Sequence, residues 1–228
     1  MRRTAPSGYT PPIPKRMPQN KSACGMDGRQ VSMAQLRQAA QKIRIQAAEL
    51  PECAVMRRAA VLILFVCKDD QWNLLFTRRT DSVQHHRGQV AFPGGGFEDQ
   101  DHSLEETALR EAEEEIGIHR DWVEIWGKMD DMVTISNYVV TPVIGHLHHI
   151  PNQFQLSQDE VDRVFLIPIN WLSDEHHWEE RPLDRGNGKI EQVVFFHPYD
   201  DELVWGITAR LTVNLLEKLD IKNLPDQN

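Results

Sequence analysis

Glu111, Glu114 and Glu115 lie three and four residues apart in the stretch REAEEEIGI, residues 110–118. On a helix those offsets bring side chains together, so the three carboxylates share a sector of about 100°. Like charges at this spacing repel by a few tenths of a kcal/mol per pair. A hard divalent cation offsets that cost: Mg²⁺ and Mn²⁺ take oxygen ligands and share them with water and substrate phosphates. Glu113 falls on the far side of the wheel and faces solvent. An isolated acidic run of this kind is more often a solvated face, and its neighbours decide between the two readings. Gly94, Gly95 and Gly96 let backbone approach a ligand closely, and Arg110 can orient an adjacent carboxylate.

The elements that must hold these groups are legible around them. Ser103 to Ile116 reads as a helix, with Ser103 as N-cap, Glu106 completing a capping box and Gly117 at the C-terminal cap. Its apolar stripe of Ala108, Leu109, Ala112 and Ile116 suits packing against a sheet. Upstream, AAVLILFV and NLLFTRR form a hairpin about a DDQW turn, and QVAFPGGG is a strand ending in the glycines. Further strands are expected at WVEIWGKM, VVTPVIGHL and RVFLIPI, and a turn and strand at DRGNGKIEQVVFF. The stretch LVWGITARLTVNLLEKL is a closing helix, with Trp205, Ile207 and Leu211 as core. Strands and helices interleave without a regular βαβ repeat, which predicts an α/β domain with a mixed sheet flanked by helices over residues 55–220. Before it, residues 31–54 carry a helix from Ser32 to about Leu50, stopped by Pro51. Residues 1–30 form a flexible, Pro-rich basic arm, and 221–228 a tail. An arm wrapped round a second copy of the chain, making a homodimer, is the alternative reading of that composition.

The stretch from the glycines through REAEEEIGI resembles the Nudix box, the loop-helix signature of hydrolases acting on nucleoside diphosphates linked to another moiety. Arg110, Glu111, Ala112, Glu114, Glu115, Gly117 and Ile118 match residue by residue. The front departs from the general pattern: Asp101 stands where a Glu is usual, and the spacer from it to Arg110 is one residue longer. One branch, the coenzyme A pyrophosphatases, looks like this. Its second mark is an upstream segment, which LFTRRTDSVQHHRGQVAFPGG resembles through Leu75, Thr77, Arg79, Gly88, Phe92, Pro93, Gly94 and Gly95. Phe76 replaces a Leu there, Thr80 a Ser, and Gln84 an Arg that could meet a phosphate; Arg87, three residues on, can substitute. TISNYVVTPVIG, SQDEVDRVFLIPI and VWGITARL extend the likeness to roughly residues 55–218.

The resemblance implies a Nudix-type α/β/α sandwich with the box helix across the edge of its sheet. It also implies metal-dependent hydrolysis of a pyrophosphate bond in coenzyme A or acyl-CoA, with Mg²⁺ or Mn²⁺ held by Glu111, Glu114 and Glu115. Arg79, Arg87, Gly88, Phe92, Gly94 and Gly95 would bind substrate, Arg110 and Asp101 support the site, and Glu114 or Glu160 act as general base. Two alternatives stay open. One is a Nudix pyrophosphatase for another nucleoside diphosphate derivative, such as ADP-ribose or NADH. The other is a non-enzymatic nucleotide-sensing module, against which the retained box carboxylates speak.

The rest of the chain narrows the classes. A net charge of −9 argues against nucleic acid or an anionic membrane as partner, so a phosphate-bearing small molecule must rely on local cations. Arg78, Arg79, Arg87, His85 and His86 make such a local patch. The longest apolar run, residues 59–67, is a buried-strand length rather than a membrane span. The N-terminus lacks the apolar core of a secretory signal, and Cys24, Cys53 and Cys67 form no disulfide or zinc pattern. A cytoplasmic protein is the expectation. Asp130 and Asp131 are further acids within reach of a metal. The pairs His148, His149 and His176, His177 lack zinc-site spacing and read as surface residues.

Overall fold

Leu62 to Val66 are five consecutive residues with no exposed surface, so the strand they form must be covered on both faces. The computed structural model describes residues 31–43, 56–80, 88–184, 188 and 190–219. The apolar run lies within β1 (Arg57–Lys68), which pairs antiparallel with β2 (Gln71–Arg79) and parallel with β7 (Tyr138–Leu147). Successive side chains alternate faces, so Ile63 and Phe65 enter one core while Leu62, Leu64 and Val66 enter the other. Each such burial contributes roughly 1.5–3 kcal/mol before the entropy of ordering is set against it.

Asp69 and Asp70, both at positive φ (52° and 58°), make the whole β1–β2 turn. Lys68 pairs with Gln71 across it, so Gln71 and Trp72 belong to the strand and not to the turn expected from DDQW. Two left-handed residues match the twist of a two-residue hairpin, and Asp tolerates that conformation. Around this hairpin the eight-stranded mixed sheet adds β3 (Val90–Ala91), β4 (Gly94–Gly96), β5 (Val123–Lys128), β6 (Met132–Val133) and β8 (Val161–Pro168). The strand β4 pairs with the start of β1, and β8 pairs with β2. A separate hairpin, β9 (Trp178–Asp184) and β10 (Ile190–Phe196), packs beside the closing helix. Most of its turn falls outside the described residues.

One face of the sheet carries α1 (Met33–Gln41), α3 (Ile169–Ser173) and α4 (Gly206–Lys218). The first is held by a capping box between Ser32 and Gln35 and ends at Gln41, short of the expected Leu50; residues 44–55 lie outside the described set. The opposite face carries α2 (Leu104–Ile116), whose Ala108, Ala112 and Ile116 are fully buried against Leu62, Leu64 and Leu75. The box helix therefore crosses the sheet face over β1 and β4, not the sheet edge, because two alanines let it approach the central strand.

The caps of α2 differ in one detail from expectation. Ser103 Oγ accepts from the Glu106 N–H (3.2 Å), but the Glu106 carboxylate accepts from the N–H of His102, one residue before the cap. Cys67 is disulfide-bonded, with its partner outside the described residues. Three cysteines leave room for one pair whatever their spacing in sequence, so the expectation of no disulfide does not hold. No helix among the described residues is long and apolar enough to cross a membrane.

Gly117 ends α2 at φ 71° and ψ 24°, and a Cβ there would sit 2.7 Å from Gln155 Cβ. A left-handed non-glycine residue costs about 1–2 kcal/mol before the clash is counted. Gly117→Ala is therefore expected to lower unfolding free energy by about 2 kcal/mol or more. Gly96→Ala, where an added Cβ meets nothing within 4 Å, should change it by less than about 0.5 kcal/mol. Urea unfolding of both variants checks the pair.

Candidate active site

Arg110 is the hub from which the site is built. It is only 9% exposed, and its fork-shaped donors are spent on both sides of the glycine loop. Nε and Nη2 donate to the two oxygens of Asp101 (2.9 and 3.1 Å), and Nη2 also donates to the Gly96 carbonyl (2.9 Å). Nη1 lies 3.0 Å from Glu111 Oε1 and 3.1 Å from Glu114 Oε2. Asp101 accepts in addition from Thr107 Oγ1 and the Glu98 N–H. The Arg110 hydrogen bonds hold its carboxyl down at about 2, and Asp101 in turn raises the guanidinium's pKa. Loop and helix are thereby fastened into one unit.

The three box carboxylates occupy different environments. Glu115 is 3% exposed, accepts from the Gly94 N–H (3.2 Å) and lies 3.9 Å from Arg79 Nη1. Burial pushes its pKa up to about 8 despite those two partners, and the charges of Glu111 and Glu160 push the same way. Glu111 is half-buried and raised for the same first reason, desolvation. Glu114 has its side chain 60% exposed. Glu113, expected to face solvent, is the more sheltered of the two, at 39%, and lies 3.5 Å from Arg120. Among the described residues no three His, Cys, Asp or Glu side chains converge closely enough to enclose an ion. Arg110 Nη1 stands between Glu111 and Glu114.

The site nevertheless fits a hard cation. Its donors are carboxylate oxygens, the type Mg²⁺ and Mn²⁺ select, and Glu115 cannot ionise easily where it is buried unless positive charge joins it. The glycines leave room beside them: a Cβ on Gly95 would fall 2.4 Å from Glu111 Oε1, and one on Gly94 2.3 Å from the Ala60 carbonyl oxygen.

Glu160 arrives from a different part of the chain. The loop before β8 is tied to α2 by Ser157 N–H donating to the Glu115 carbonyl, and to β2 by Thr80 N–H donating to the Glu160 carbonyl. That brings an exposed Glu160 into the electrostatic field of both Glu111 and Glu115. Asp130 pairs with Lys218, and Asp131 accepts from Thr141 Oγ1. Among the described residues none of the four singled-out histidines joins a cluster that could hold a metal; His176 lies 2.9 Å from Asp174, and His177 stacks on Trp171 at 4.4 Å.

Arg79 joins this cluster to a cleft of about 470 Å³. Its Nε is buried with no hydrogen-bond partner among the described residues. The cleft runs between β3, the loop after β6, β10 and the start of α4. Phe92 reaches its wall but is 3% exposed and stacked on Phe76 at 4.8 Å, so it is chiefly core. Gly88 forms a left-handed turn outside the lining, and Arg87 lies outside the described residues. Sequence reasoning placed Trp205 and Ile207 in the core. Both line the cleft, Trp205 half-buried and Ile207 exposed, while Leu211 is buried. The loop residue Ile135 and Tyr138 at the start of β7 were missed, although they lie within the stretch TISNYVVTPVIG.

Known proteins resemble this chain over much of its length. Residues 56–198 match the family described as NUDIX domain. Proteins named "Uncharacterized Nudix hydrolase NudL" from Yersinia pestis (strain Pestoides F) and Yersinia pseudotuberculosis (serotype O:1b) are 38% identical over 169 residues, 74% of this chain and 82% of theirs. Among solved structures, a MutT/nudix family protein from Enterococcus faecalis aligns over 93% of this chain and 79% of its own. Its identity is 14% and its TM-score 0.49.

Asp101 takes two of the hydrogen bonds that hold buried Arg110, and removing one partner of a buried ion pair costs about 3 kcal/mol. Asp101→Asn should therefore destabilise the protein by about that amount at pH 7. A carboxyl depressed by folding contributes stability that is full above its unfolded pKa, near 3.8, and lost as pH falls through about 2. The difference between wild type and Asp101→Asn should accordingly shrink across that window. Paired thermal melts from pH 7 down to pH 2.5 check it; a constant difference would contradict the pairing.

Proposed function

The chain belongs to the Nudix family of hydrolases acting on nucleoside diphosphate derivatives, and within it we propose that this enzyme cleaves the pyrophosphate bond of coenzyme A or acyl-CoA. The products would be phosphopantetheine, free or acylated, and adenosine 3′,5′-bisphosphate. The observation that carries the substrate reading is Arg79. It belongs to the upstream segment LFTRRTDSVQHHRGQVAFPGG, and it stands 3.9 Å from buried Glu115 with a donor unspent. A guanidinium so placed matches phosphate oxygens.

Nudix hydrolases use divalent cations. Glu111, Glu114 and Glu115 would hold Mg²⁺ or Mn²⁺, which would supply positive charge against the diphosphate and lower the pKa of a water. The chain's own groups do the rest. The Gly94 N–H orients Glu115, and Arg110 positions Glu111 and Glu114 while fastening their helix to the loop through Asp101. Arg79 meets the substrate phosphate, with Arg87 as a second cation from the same segment, and Gly88, Phe92, Gly94 and Gly95 shape the backbone around it. Glu160 takes the proton from water, since Glu114 already shares its oxygen with Arg110; Glu114 is the alternative base. Phosphoryl chemistry asks a protein mainly for charge and position, which is what this arrangement offers.

Glu115→Gln keeps the side chain's shape and an acceptor for Gly94, so the fold should stay intact by circular dichroism. Hydrolysis with Mg²⁺ or Mn²⁺ should fall by about a hundredfold or more; a wild-type rate would remove Glu115 from the site. The substrate reading is tested by assaying CoA, ADP-ribose, NADH and diadenosine polyphosphates side by side with each metal. CoA is expected to give the highest kcat/KM, and a clear preference for ADP-ribose would move the enzyme to another substrate class.

A further inference from the structure

The cleft beside Arg79 has walls that are mostly apolar and partly solvated. Val133 is 40% exposed, Ile135 74% and Ile207 38%, three large aliphatic side chains meeting water around one opening. Single exposed aliphatics are ordinary, but a cluster lining a concavity marks a binding site.

Several polar groups of the lining are already engaged within the protein. Thr208 Oγ1 donates to the Val90 carbonyl, Thr134 Oγ1 donates to the Tyr138 carbonyl and accepts from its N–H, and Arg210 pairs with Glu180 at 2.8 Å. The indole of Trp205 stacks on Phe195 at 5.5 Å and 8°. The cleft therefore offers a ligand chiefly apolar surface, with the Arg79 guanidinium at its junction with the carboxylates. A nucleobase would need hydrogen bonds at its edges, for which the lining has Gln89, Ser136, Glu191 and Gln192 at its margins. An apolar group carried on a diphosphate would not.

Resting on the CoA reading above, the geometry points to this cleft as the seat of the substrate's non-nucleotide, acylated arm. Ile135 and Ile207 are the specificity-determining residues, and the preferred substrate is an acyl-CoA with an aliphatic chain rather than free CoA. Burying a few methylenes against these walls stabilises the bound arm enough for a preference of about tenfold.

The test compares kcat/KM for octanoyl-CoA, free CoA and ADP-ribose in wild type, Ile207→Asp, Ile135→Asp and the conservative Ile207→Leu, with melting curves to confirm folding. Wild type and Ile207→Leu should favour octanoyl-CoA over CoA by about tenfold. In at least one aspartate variant the ratio should fall to within about twofold of unity, through a higher KM for octanoyl-CoA, because a carboxylate in the wall resists desolvation. Equal turnover of octanoyl-CoA and CoA by wild type, or a preference unchanged in both aspartate variants, overturns this inference and leaves the CoA reading standing. Turnover of ADP-ribose with none of either CoA substrate overturns both.

Discussion

A guanidinium fixed by several hydrogen bonds cannot shift without breaking several of them, and Arg110 is fixed on two sides. Asp101 and the Gly96 carbonyl grip it from the loop, while Glu111 and Glu114 meet it along the helix. The position of the glycine loop over α2 follows from that grip. So does the distance from the Gly94 N–H to Glu115, because β4, which carries one, is fastened through the Gly96 carbonyl to the helix that carries the other. Asp101 is shorter than the Glu usual at its place in the general box pattern. Its bidentate geometry to Arg110 shows that the longer spacer still delivers a carboxylate to the guanidinium.

Around that clamp the structure accumulates negative charge in a place poorly suited to it. Glu115 is almost wholly buried, Glu111 half so, and Glu160 is brought alongside by a loop tied to both α2 and β2. Burial weakens hydration of a carboxylate and strengthens its interaction with any cation that arrives. A site of this kind favures incoming positive charge, and Arg79, standing at its rim, bridges it to a second environment of opposite character. On one side of Arg79 are acids; on the other is a cleft walled by Tyr138, Ile135, Trp205 and Ile207. An acidic cluster and an apolar cleft thus meet at one residue.

Much of this was legible along the chain, and the errors have physical causes. The unbroken apolar run of β1, the Ser103 cap and the Gly117 stop of α2 are local signals, and each appears where expected. The capping box was half right because Glu106 bonds one residue further back than its spacing suggests. The turn at Asp69 and Asp70 is tighter than expected because Trp72 is drawn into the core, where its indole N–H donates to the Val31 carbonyl. Ile207 has helical spacing and an aliphatic side chain, the features that usually mean core. It is exposed because the first turn of α4 lines a cleft instead of packing under a neighbour.

The sequence by itself determined which residues could act: the carboxylates at helical spacing, the glycines before them and Arg110 among them. Spacing along one helix is a local property, set by 3.6 residues per turn and readable from a single segment. Tertiary structure alone decided how far each carboxylate is desolvated and which acid from a distant loop joins the group. It also decided that α2 lies over the sheet face and that an apolar cleft opens beside Arg79. Those outcomes depend on what packs against each side chain through space, and residues remote in the chain supply it.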